Sequence, residues 1–209
     1  MLTETSALGG LTAELAGLEA PLAARWERVH EIFLCWVCLP EFRTHLRDFV
    51  YDRPAAEVAV RSRETTTHFA WCLLDEPGTE FSLWLHEYKP QRDWRRGYAD
   101  SVHNHRYHFC TTMLHGGYLQ ESYDAEVSTE TGMITSVSSR GRARCGIGSS
   151  RMMLASDFHR IVTAEDDTMT FLVKSRPVTD WSLSYDPEYD IGHRHVPVEN
   201  RLGEMSERI

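Results

Sequence analysis

Two histidines with a single residue between them offer the clearest chemistry in the chain. They lie in the run Gly97-Tyr-Ala-Asp-Ser-Val-His103-Asn-His105-Arg-Tyr-His108-Phe-Cys110. On a β-strand alternate side chains share a face, so both imidazoles can point inward together. A facial metal site then needs a third ligand from elsewhere. His159 supplies it, in Ser156-Asp157-Phe158-His159-Arg160-Ile161-Val162, ahead of a second strand. Three neutral imidazoles leave a divalent ion its full charge and keep coordination positions open. His108 competes as a ligand, lines the pocket as a proton carrier, or is a structural histidine. His115, before Gly116-Gly117, reads as a turn residue. His193 and His195 form a second His-x-His, but in a polar tail.

Such a site needs a rigid β-framework around it. From about Thr65 the hydrophobic period is two: Thr66 to Leu74 and Phe81 to Tyr88 read as strands. Asp75-Glu76-Pro77-Gly78 joins them, and Pro-Gly suits a type II turn. Met169 to Lys174 reads as a further strand. Short strands punctuated by Gly116, Gly117, Gly132, Gly141, Gly146 and Gly148 indicate a sandwich or barrel. The first fifty residues are helical by spacing. Leu11, Leu15, Leu18 and Leu22 form one stripe and Trp26, Val29, Phe33 and Val37 another. Phe42, Leu46 and Phe49 form a third, after Pro40. The expected architecture is mainly β. A helical segment, residues 1–50, packs on a barrel of residues 51–209, and the polar tail after Pro187 wraps the surface.

The spacing around the histidines resembles the cupin family, whose fold is a double-stranded β-helix or jelly-roll barrel. In its first motif a Gly precedes His-x-His by five residues, and a Glu and a Gly follow. Here Gly97, His103, His105, Cys110 and Gly117 match, with Cys110 in place of the Glu. In the second motif, Gly148 and His159 match, whereas Leu154, Ser156 and Thr163 replace its Pro, Gly and Asn. Cysteine at the glutamate position narrows the likeness to the thiol dioxygenases, including cysteine dioxygenase. The runs Val102 to Cys110, Leu114 to Glu121 and Ser156 to Arg160 are similar to that family.

The resemblance implies an Fe(II)-dependent dioxygenase. His103, His105 and His159 would hold the iron, and O2 would oxidise a small thiol to a sulfinate. It places Cys110 in the pocket, where a buried inert thiol is the other reading. The family's Ser-His-Tyr set corresponds to Thr170, Leu172 and Lys174. Its carboxylate-binding arginine corresponds to Trp71, with His68 nearby. Such supporting groups orient the substrate, so these departures point to a substrate other than free cysteine. Lys174 either faces inward as a cation for an anionic substrate or snorkels to water. Arg160 binds an acidic group near the metal or pairs with Asp157, and Tyr107 shapes the pocket. A cupin with different oxygen chemistry, such as carbon oxidation, and a non-catalytic metal- or ligand-binding cupin are the alternatives.

Bulk properties bound the rest. The chain has 209 residues, 42% of them hydrophobic, which suffices for a sizeable core. A net charge of −9 without a basic stripe disfavours nucleic acid, and Arg92 to Arg96 reads as a solvated loop. Five irregularly spaced Cys suit a reducing compartment, and the expected location is cytoplasmic. Cys35-Trp-Val-Cys38 reads as core packing within a helix. No membrane partner is expected. The expected assembly is a monomer or homodimer.

Overall fold

The computed structural model describes residues 6–197, 202 and 205–208. Four helices come first: α1 (Ala7–Ala16), α2 (Trp26–Val37), α3 (Phe42–Tyr51) and α4 (Ala55–Arg61). Ser6 caps α1, its Oγ accepting the Gly9 N–H at 2.9 Å. The leucine stripe is buried at Leu8, Leu11 and Leu15, and α2 buries Trp26, Val29 and Phe33. Helix α4 carries the helical run past the fifty residues expected. Its residues are all exposed or half-buried, so no apolar stripe announced it. Cys35 and Cys38 are exposed, which corrects the core-packing expectation. One helical turn places them together on the outward face of α2.

Twelve strands follow: β1 (Arg63–Glu64), β2 (His68–Leu74), β3 (Phe81–Tyr88), β4 (Val102–His103), β5 (Phe109–His115), β6 (Gly117–Val127), β7 (Ile134–Gly146), β8 (Ser150–Met153), β9 (Phe158–Ala164), β10 (Met169–Ser175), β11 (Ser182–Asp186) and β12 (Ile191–His195). They make two six-stranded antiparallel sheets, ordered β1-β2-β3-β10-β5-β8 and β12-β11-β4-β9-β6-β7. This is the mainly β, two-sheet architecture that the alternating spacing predicts. The hairpin from β2 to β3 turns at Pro77-Gly78. Gly78 has φ 86° and Thr79 N–H bonds back to Glu76 O at 3.2 Å, as a type II turn requires. Gly116, at φ 64°, turns β5 into β6 so tightly that a Cβ there would lie 2.5 Å from Thr168 Oγ1.

The first sheet has two buried faces. Leu73, Leu83, Leu85, Cys110, Phe171 and Val173 pack against the helices. Phe171 sits between Phe33, stacked at 6.1 Å, and Phe42, edge-on at 5.2 Å. Ala70, Cys72, Trp84, Phe109, Met153 and Leu172 face the barrel interior instead. This alternation decides which residues reach the site. The tail expectation is corrected in part: β12 is a paired strand, with His193 opposite Ser184 and His195 opposite Ser182. Most of the expected tail beyond residue 197 lies outside the described residues. No helix among the described residues is long and apolar enough to cross a membrane.

Candidate metal centre

Strands β4 and β9 run side by side, so that His103 and His159 are direct partners. His105 arrives differently from the alternation expected. Strand β4 ends at His103, and His105 belongs to the loop before β5. Asn104 clamps that loop. Its Oδ1 accepts the Leu183 N–H at 2.7 Å and its Nδ2 donates to Ala155 O at 3.0 Å. Its own N–H donates to Leu183 O at 3.1 Å. Tyr98 Oη donates to the Asn104 carbonyl from the other side.

The result is convergence. One ring nitrogen from each of His103, His105 and His159 lies within 4.8 Å of the others. Nε2 of His105 and Nε2 of His159 are 2.9 Å apart. His103 Nδ1–H donates to Ser101 O at 2.9 Å, which leaves Nε2 as its free donor. His159 Nδ1 is buried with no hydrogen-bond partner. Burial pushes His103 down to about 4 and the other two well below the ordinary imidazole value. Three neutral imidazoles therefore aim lone pairs at one point, with no carboxylate among them. That donor set fits a divalent first-row transition ion, and the site is a three-histidine metal-binding site.

Beside it lies a cavity of about 50 Å³, walled by His68, His86, Tyr107, Phe109, Gln120 and Leu172 among others. It has room for roughly one or two water-sized groups. Of the residues singled out from sequence, His68, Tyr107, Thr170 and Leu172 line this cavity. The Tyr107 ring stacks on His105 at 5.3 Å.

The structure places the others elsewhere. Cys110 is 0% exposed, but on the helix side of β5 opposite Val173. Burial pushes its thiol up, beyond easy ionisation. Phe109 is the neighbour that faces the metal centre, its ring 5.0 Å from His105. Trp71 also points away from the cavity, and its Nε1 donates to Glu87 at 2.8 Å. Both corrections follow from strand parity: His68, Ala70 and Cys72 face one way, Trp71 and Leu73 the other. His108 is a structural residue, accepting the Ala155 N–H on Nδ1 at 2.8 Å with Trp26 6.0 Å away. Arg160 alternates with inward His159 and Ile161, so it points out, 3.8 Å from Asp100 rather than pairing with Asp157. His195 bonds Ser184 Oγ at 2.6 Å and packs on Tyr98. It is not among the converging donors.

Lys174 faces inward, as the first of the two expectations has it. At 4% exposure it does not snorkel. Its Nζ lies 3.1 Å from His86 Nε2 and 4.3 Å from the centre of the Trp84 ring. His86 stands between it and the cavity. Burial, and then the nearby Arg63 charge, push its amine well below the ordinary lysine range. It meets the site through His86. His86 in turn stacks on His68 at 4.3 Å. His86, Phe109 and Gln120 were missed by sequence reasoning. The signal was present for His86, since Ser82, Trp84, His86 and Tyr88 alternate along β3.

No protein-family model matches the chain, and no curated protein matches it in sequence. Solved structures similar in chain trace include the oxalate decarboxylase of Lactobacillus farciminis in its formate complex. That match has 17% identity over 57% of this chain and 31% of that one, with TM-score 0.38. The DMSP lyase DddQ of Ruegeria pomeroyi matches at 14% identity over 59% and 60%, TM-score 0.39. Ectoine synthase of P. lautus matches at 13% over 61% and 78%, TM-score 0.38. This chain spans less than two thirds of the first two. These likenesses are partial, and the site stands on its own geometry.

Proposed function

We propose that the chain is an Fe(II)-dependent cupin oxygenase that uses O2 to oxidise a small substrate. By its resemblance to the thiol dioxygenases, that substrate is a thiol other than free cysteine, and the product a sulfinate. The carrying observation is the convergence of neutral His103, His105 and His159, without a carboxylate, beside a small cavity. When bound, Fe(II) supplies oxygen activation and lowers the pKa of a coordinated thiol. The chain's own residues do the positioning. Phe109, Leu172 and Ile161 exclude water from the reacting space. Tyr107 braces His105, and Ser101 fixes the tautomer of His103. His68 and His86 present the polar wall, with Lys174 holding His86 from behind.

A second reading, oxidation at carbon on the same scaffold, is supported by the outward placement of Cys110 and Trp71. Two positions through which the resemblance to thiol dioxygenases runs do not reach the cavity. Protein loaded anaerobically with Fe(II) should be mixed with O2 and a panel of small thiols, with oxygen uptake and product mass followed together. Uptake matched by sulfinate supports the first reading. Uptake without sulfinate favours the second, and none at all with iron bound sinks both.

A further inference from the structure

The cavity beside the three histidines is too small for a whole organic substrate, so most of the molecule must sit outside it. A polar cleft of about 700 Å³ opens next to it, within the usual size range of ligand sites. Gln120 lines both spaces. Met153 lines the cleft and packs with Phe109 and Leu172 of the cavity wall. Together they form the partition. Gln120 is 3% exposed, yet its only hydrogen-bond partner among the described residues is the Met153 thioether, 3.8 Å from Nε2.

The cleft also holds a cation without a counter-ion. Of its three arginines, Arg142 is bound to Glu121 at 2.7 Å and Arg140 lies 3.7 Å from Asp124. Arg151 is half-buried, and no carboxylate pairs with it among the described residues; its guanidinium meets the Cys145 thiol. Asp157, the cleft's other acid, is occupied by the Leu154 N–H at 2.8 Å. Arg151 shares the inward face of β8 with Met153, opposite Thr111 of the cavity wall. Its charge reaches His159.

We propose that Arg151 binds an anionic group of the substrate in this cleft, while Gln120 orients the part that passes into the metal cavity. The substrate is then a small organic anion whose reactive end is short enough to pass the Gln120–Met153 partition. A carboxylate on a guanidinium is a charge-assisted, often bidentate pair, stronger than a neutral hydrogen bond. This inference rests on the three-histidine metal reading.

The test uses Co(II)-loaded protein, titrated anaerobically with 3-mercaptopropionate and, in parallel, with propanethiol, which lacks the carboxylate. Thiolate-to-cobalt absorption reports binding. The carboxylate-bearing probe should bind at least about tenfold more tightly. Arg151→Met should erase that preference and Arg151→Lys should keep part of it, both with the parent's cobalt content and melting temperature. Equal affinity for the two probes, or a preference that survives Arg151→Met, overturns the assignment of Arg151. Failure of the parent protein to take up Co(II) at all shows before any thiol is added. It overturns the metal reading and this inference with it, whereas binding of neither probe to cobalt-loaded protein overturns this inference alone.

Discussion

His103 and His159 stand directly opposite each other across the β4–β9 pairing, their rings 4.7 Å apart, although 56 positions separate them in the chain. The barrel topology, not local sequence, creates the ligand set. Removing either imidazole should therefore abolish tight binding of the metal without unfolding the sheets. His159→Ala is expected to reduce bound metal, measured by elemental analysis after Fe(II) loading, from near stoichiometric to near background. The adjacent Arg160→Ala, on the outward face, should retain it. Equal retention by both variants would refute the third-ligand assignment.

Much of this was legible from two periodicities. The change from helical to alternating spacing near Thr65 located the framework, and the glycine-framed histidine spacings located the ligands. Counting along a motif failed where parity mattered. Spacing matched Cys110 to the motif's acidic position, but the loop carrying His105 restarts the alternation at β5, and Phe109 and Thr111 take the inward face. Trp71 failed likewise, one step from inward Ala70 and Cys72. Arg160 was readable as outward from its neighbours His159 and Ile161. Pairing between distant strands, which sets Lys174 behind His86, has no local signature.

The parity of Cys110 has a chemical consequence. Its thiol is sealed against the helices, whereas Cys35 and Cys38 are exposed on α2. Thiol titration of the native protein should show two fast groups, with Cys72, Cys110 and Cys145 reacting only on unfolding. Cys110→Ala should leave metal content and oxygen uptake unchanged. Its cost should be about 1 kcal/mol of stability from lost packing, read from denaturant midpoints. A loss of oxygen uptake with iron retained would place Cys110 back in the site.

His68 gives the metal-free protein an acid sensitivity of its own. Burial pushes its imidazole from 6.5 down to about 3, so the folded chain leaves it neutral where the unfolded chain protonates it. Between these values the unfolded state binds more protons, and stability must rise with pH. Acidifying metal-free protein from pH 6.5 towards 4 should lower stability by up to about 1.4 kcal/mol per pH unit for this group. His68→Gln should make the slope shallower. An unchanged slope in chemical denaturation at a series of pH values would show that His68 is solvated.

Lys174 makes the opposite limb visible. Its amine is buried against Trp84 and His86, and burial lowers its pKa well below the ordinary 10.5. In the unfolded chain it is protonated up to that value, so folding releases a proton throughout the range between the folded value and 10.5. Stability contributed by this group therefore rises with pH and is fully present only above about 10.5. Lys174→Met keeps the length of the side chain and removes the proton. Relief of amine desolvation then outweighs loss of the bond to His86, so the variant should be the more stable protein near pH 7 and lose that advantage as pH rises towards 10.5. The variant should lose the parent's upward slope between pH 7 and 9.5 while keeping its metal. A slope identical to the parent's would mean that the amine is charged in the fold, which would return it to the cationic role first expected of it.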